Sequence, residues 1–160
     1  MYSRFPLRLG LCVCLMVSFL PLLLSTLRAA PKATKTTHYD GKVVPLAKLL
    51  DKIGSRLDGD ASPFWLALVT QDEKIYPLIK DDGARMFFKD ARLQNRSMRI
   101  TGRLLEGTHL LQVLEVHSYV KGKLHEVYYW CDICAIKRHE KQICDCCNGP
   151  MELREAPLQD

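Results

Sequence analysis

The stretch MRITGRLLEGTHLLQVLEVHSYVKGKLHEVYYW, residues 98–130, decides the fold. It holds three apolar-rich runs, residues 98–105, 110–119 and 124–130, separated by Glu106-Gly107-Thr108 and Lys121-Gly122-Lys123. Runs of this length, rich in β-branched and aromatic residues and broken by glycine-containing turns, predict an antiparallel meander. Upstream, residues 64–70, the polar turn Gln71-Asp72-Glu73-Lys74 and residues 75–79 predict a hairpin. Pro77 places its second arm at an edge or a bulge, because proline has no N–H to give a ladder. Asp81-Asp82-Gly83 ends that run, and residues 85–93 form a short helical or irregular connection. Before the hairpin, Leu46, Leu49, Leu50, Ile53 and Leu57 recur at helical spacing, with Pro45 suited to a first turn and Gly59 to a stop. The fold class is therefore α+β, mainly β. Its expected form is a five-stranded antiparallel sheet packed on one N-terminal helix, or a partly closed barrel of the oligonucleotide/oligosaccharide-binding (OB) type, over residues 43–128.

Beyond the meander, residues 129–155 form a cysteine-rich tail. Cys131 and Cys134 make one CxxC pair, nine residues intervene, and Cys144 and Cys147 make a second. Two residues between cysteines let a tight turn aim both sulfurs at one ion, and nine residues suffice for a hairpin that completes a tetrahedron. Cys131, Cys134, Cys144 and Cys147 are the expected ligands of a zinc-ribbon-like site, with Cys146 and His139 as alternates. Gly149 follows where a knuckle turn brings amides close to sulfur. Zinc suits four sulfurs best, and iron fits the same set. An exported chain meets oxidants, so paired disulfides are the structural alternative. Two adjacent CxxC pairs would then close two strained small loops or a tight crossed pair and leave one of the five cysteines over. The phrase Trp130-Cys131-Asp132-Ile133-Cys134 also has the form of a thioredoxin-type WCxxC. Only 26 residues follow Cys134, too few for the helices and strands that such an enzyme needs after its motif.

At the other end, Arg4 and Arg8 precede an almost unbroken apolar run, residues 9–27, and then Arg28-Ala29-Ala30-Pro31. A basic start, a greasy middle and small residues are the order of an export signal. Residues 1–29 are read as a signal peptide or a signal anchor, since the 19-residue run is close to the roughly 20 residues that span a bilayer. Export would make the protein periplasmic or secreted, with the membrane as a partner if the segment stays uncleaved. Cys12 and Cys14 lie inside the run and read as apolar filler. Residues 30–42, rich in Lys and Thr, read as a flexible linker.

The formal charge of +5 includes Arg4, Arg8 and Arg28, so the chain beyond residue 30 carries only +2. No global charge argues for nucleic acid. Phe64, Trp65, Phe87, Phe88, Tyr128 and Tyr129 could stack on bases or sugars beside Arg85, Lys89, Arg92, Arg96 and Arg99, although strand aromatics usually fill a core. His109, Glu115 and His117 share strand parity with Leu111, Val113 and Tyr119, which reads as a mixed face. His125 and Tyr129 stand four apart, reminiscent of the haem-carrying chaperone of cytochrome c assembly, but their flanks do not match it. Asn95-Arg96-Ser97 is a glycosylation sequon. The chain has no phosphate loop and no nucleophile elbow.

Residues 64–155, above all MRITGRL from Met98, HSYVKG from His117 and WCDIC from Trp130 through Cys144-Asp145-Cys146-Cys147, resemble a family of uncharacterised bacterial exported proteins. The resemblance implies export and a cysteine tail and supplies no mechanism. The expected function is a noncatalytic binding or scaffold module for a protein or small ligand, with a structural four-cysteine zinc site. The alternative is a thiol-disulfide or metal-handling protein using Cys131 and Cys134, with Cys146 as a resolving or transfer thiol.

Overall fold

The structure is a computed structural model that describes residues 35–158. The signal segment, Cys12 and Cys14 therefore lie outside the described residues. Among those described, no helix is long and apolar enough to cross a membrane.

The described residues form eight strands and two short α-helices: β1 (Thr37–Pro45), α1 (Leu46–Asp51), β2 (Leu66–Thr70), β3 (Ile75–Pro77), α2 (Arg85–Lys89), β4 (Ser97–Leu104), β5 (Leu111–Val120), β6 (Lys123–Cys131), β7 (Ile136–Arg138) and β8 (Glu152–Pro157). The sheet runs β3-β2-β1-β4-β5-β6-β7, with β8 on β6, and all its strand pairs are antiparallel. A lone parallel bridge joins Leu78, just past β3, to Leu111 at the start of β5. The mainly β class and the meander stand as read. Lys121 and Gly122, at φ 50° and 79°, form the two-residue turn of the β5–β6 hairpin.

Three expectations are corrected. From Thr37 onward the presumed linker is strand, and β1 lies between β2 and β4. Tyr39 and Val43 face the core, while Asp40 and Lys42 on the other face give the segment its polar look. Gly41 lies so close to β2 that a Cβ there would come within 2.3 Å of the Val69 carbonyl oxygen. The helix, secondly, ends after Asp51, not near Gly59. Gly54 takes φ 75°, its N–H donates to the Asp51 carbonyl, and Ser55 N–H donates to the Leu50 carbonyl at 3.0 Å. That pair of bonds is a Schellman cap, and glycine supplies its left-handed residue. Thirdly, the sheet has eight strands where five were expected, because β1 and the tail strands β7 and β8 join it.

The core comprises Val43, Leu68, Phe87, Met98, Ile100, Leu111 and Val127, and continues without a break to Cys131, Cys144 and Met151. The boundary expected between residues 128 and 129 falls inside β6, so the tail grows out of the sheet.

Candidate metal centre

Cys131 is the last residue of β6, and Cys134 sits in the turn that leads to β7, where Cys131 pairs with Ile136. The second CxxC is closed by a bridge between Ile143 and Pro150. The two turns are built alike. Ala135 N–H donates to the Cys131 carbonyl, and Asn148 N–H donates to the Cys144 carbonyl, each at 2.9 Å. The residue after each second cysteine is left-handed, Ala135 at φ 51° and Asn148 at φ 53°. In each turn the amides two and three residues ahead, Ile133 and Cys134 or Cys146 and Cys147, point at the first sulfur.

These turns bring together the four cysteines that the spacing paired. The Sγ atoms of Cys131, Cys134, Cys144 and Cys147 lie within 4.8 Å of one another, and Cys131 and Cys147 stand 3.5 Å apart. A tetrahedral ion with sulfurs at about 2.3 Å requires sulfur–sulfur edges of about 3.8 Å, so the cluster could hold a metal ion with small adjustments. Cys131 and Cys144 are buried, Cys134 and Cys147 partly so, and all are free thiols. The Cys147 and Cys146 amides hold the Cys144 thiol down at about 7. The Cys146 side chain, then burial, pushes Cys134 up. At Cys131 the Cys134 amide works downward, but burial and the Cys147 and Cys144 thiols outweigh it and the net direction is up. Four sulfurs this close cannot all ionise without a cation among them.

The alternates stand apart. Cys146 is exposed and outside the four-sulfur set, although its side chain reaches Cys134. His139 is also exposed and borders a cavity with His117 and Glu126. Gly149 is not left-handed, since Asn148 makes that turn. It is the close approach to sulfur that holds at Gly149: a Cβ there would sit 3.2 Å from the Cys147 Sγ. The spacing of the cysteines does not reveal the left-handed residues Ala135 and Asn148. Asparagine after a CxxC was a usable signal for Asn148, whereas alanine gives none.

The remaining candidates separate. Leu114 is an extra residue in β5, because pairing passes from Thr101–Glu115 to Gly102–Val113. Strand parity inverts across it, so Leu111 and Val113 are buried on one parity and Ser118 on the other. His109 lies in the loop before β5, and the single face expected for His109, Glu115 and His117 does not form. Tyr129 is fully buried and donates its hydroxyl to Asp90 at 2.9 Å, which commits it to the core rather than to a ligand with His125. The five cations near the aromatics are all paired: Arg85 with Asp82 and Glu140, Lys89 with Glu140, Arg92 with Asp90, Arg96 with Glu155 and Arg99 with Asp40.

Comparison of the chain with protein-family models, curated proteins and solved structures returned no match.

Proposed function

We propose that the protein is an exported, noncatalytic binding module: an OB-like β-domain braced by a structural four-cysteine zinc centre at Cys131, Cys134, Cys144 and Cys147. The observation that carries the reading is the convergence of four sulfurs from two turns of the same build. Such turns aim amides at sulfur and leave no place for a substrate between the cysteines, which suits a closed structural site. Zinc is favoured over iron because the ion itself has no redox chemistry and takes four thiolates in a tetrahedron. The OB-like reading is supported by the pairing of β1 with β2 and β4, of β2 with β3 and of β4 with β5, and by the parallel bridge that links β3 to β5. Export, to the periplasm or beyond, rests on the basic, apolar and small-residue order of residues 4–31, in line with the resemblance to exported proteins.

Exposed Cys146 favours a second reading, thiol-disulfide exchange or metal transfer, since a resolving thiol must be reachable. One experiment separates the two. The full-length sequence is expressed without added metal, the protein is purified in the form the cell leaves it, and metal content and free thiols are measured together. About one zinc per chain, with Cys146 unreactive towards oxidised glutathione, supports the structural centre. No metal, with about one titratable thiol beyond residue 30, means two disulfides and sinks it.

A further inference from the structure

Helix α1 carries Leu46, Leu49 and Leu50, yet none of its residues is buried. Beside it, bordered by Leu49, lies an open cavity of about 580 Å³, a size ordinary for small-molecule sites. Its floor is the outer face of the sheet. There Lys42 of β1 stands opposite Val69 of β2 on one side and Ser97 of β4 on the other. Val44, Leu49 and Val69 form an apolar wall, each only partly covered. Leu49 of the helix thus borders apolar surface without covering it, leaving area whose removal from water would stabilise any apolar occupant.

The charges at the cavity do not balance. Lys42 and Lys52 both line it, and neither takes part in an ion pair among the described residues. The carboxylate at the rim, Asp40, is already neutralised: Arg99 donates to it through Nε at 2.9 Å and Nη2 at 3.0 Å, and the Tyr119 hydroxyl donates at 2.8 Å. Two exposed lysines therefore border an apolar wall with no ion-pair partner among the described residues. We propose that this cavity binds an anionic amphiphile, with its carboxylate, sulfonate or phosphate between Lys42 and Lys52 and its apolar body beside α1. The site goes beyond the binding-module reading and is independent of the metal centre, since no cysteine lines it.

The test uses the protein purified from the full-length sequence and the probe 1-anilinonaphthalene-8-sulfonate, with decanoate and decyltrimethylammonium as competitors, all kept below micelle formation. The expected result is saturable binding of one probe per chain, displaced by decanoate and not by the cation. Lys42→Glu and Lys52→Glu should each weaken decanoate at least about tenfold, as reversal of one partly desolvated contact does. Val69→Trp, which fills the cavity and leaves both lysines in place, should abolish binding. Metal content and the near-ultraviolet circular dichroism of every variant should match the parent, which separates loss of the site from loss of the fold or of the metal centre. The proposal is overturned by non-saturable probe binding, by equal displacement with the cation, or by lysine variants that bind as the parent does. Binding only to phosphatidylglycerol vesicles, undiminished by decanoate, would also overturn it and assign the face to a membrane surface.

Discussion

Tyr129 is fully buried and ends on a carboxylate, Asp90, that is itself only 3% exposed. Arg92 reaches the same carboxylate with its side chain, at 2.6 to 3.0 Å, and with its backbone N–H. These contacts, the Arg92 guanidinium foremost, hold Asp90 down to about 2 from its ordinary 3.8. The folded state therefore favours the charged form. Its contribution, about 2 kcal/mol, is complete above the unfolded value near 3.8 and is lost as pH falls toward 2. Urea unfolding from pH 6 to pH 2.5 should show that loss, and Asp90→Asn should flatten it; an unchanged slope would refute the assignment. Tyr129→Phe should cost about 1–3 kcal/mol, because it removes one donor from a buried carboxylate. Ala135 poses the opposite case. It sits left-handed at φ 51°, where a Cβ costs about 1–2 kcal/mol and glycine costs nothing sterically. Ala135→Gly should raise stability by up to about 1 kcal/mol in thermal melts, and a loss would mean that the Ala135 methyl packs against something that matters more than the strain. The sequence hides this position, since alanine signals no turn, whereas the cysteines around it were legible from spacing alone.

Among the elements, β1 is the one that composition conceals. Its outward residues Asp40 and Lys42 read as linker, and its inward face is only Tyr39, Gly41 and Val43. Strand pairing on both edges makes β1 a strand, and pairing with partners distant in sequence leaves no local pattern. The meander of β4, β5 and β6 was legible because its pairs are neighbours in sequence and its turns carry glycine. Even there, the extra residue Leu114 inverts the parity of β5 and could not be read from alternation. The length of α1 failed for a related reason: leucine spacing continued to Leu57, but Gly54 closed the helix with two backbone bonds. Gly41 is where β1 is most sensitive. A methyl group there would meet the Val69 carbonyl oxygen at 2.3 Å, and a strand paired on both sides cannot retreat. Gly41→Ala should therefore cost more than about 3 kcal/mol in denaturant unfolding and weaken amide protection in β2 before β6. A cost near that of an exposed strand glycine would show that β2 moves aside freely.

For the whole molecule, the question is whether the cysteine centre is an appendage or part of the domain. Residues 129–155 were read as a tail, yet β6 runs from the β5 hairpin to Cys131 as one strand, and β8 returns along it from Trp130 to His125. Cys131 and Cys144 lie in the same buried cluster as Ile100, Val113 and Phe87. If the four sulfurs hold the proposed ion, sulfur chemistry and sheet stability are coupled through β6, and its binding free energy would become folding free energy for the whole domain, not for the two turns alone. Removal of the ion by a chelator, or Cys144→Ser, should lower the single thermal midpoint by more than about 10 °C. Amide protection should fall together in β5, β6 and β8, because β6 is the strand on which β5 and β8 pair, and β4 should follow through its own pairing with β5. If the centre were an appendage, two transitions would appear: β7 and the Ile143–Pro150 turn would open on metal loss while β1, β4 and β5 kept their protection. Hydrogen exchange with and without chelator distinguishes these outcomes strand by strand. The shared core favours one transition, because Cys131 and Cys144 are buried in the same cluster as Ile100, Val113 and Val127, and moving them opens that cluster.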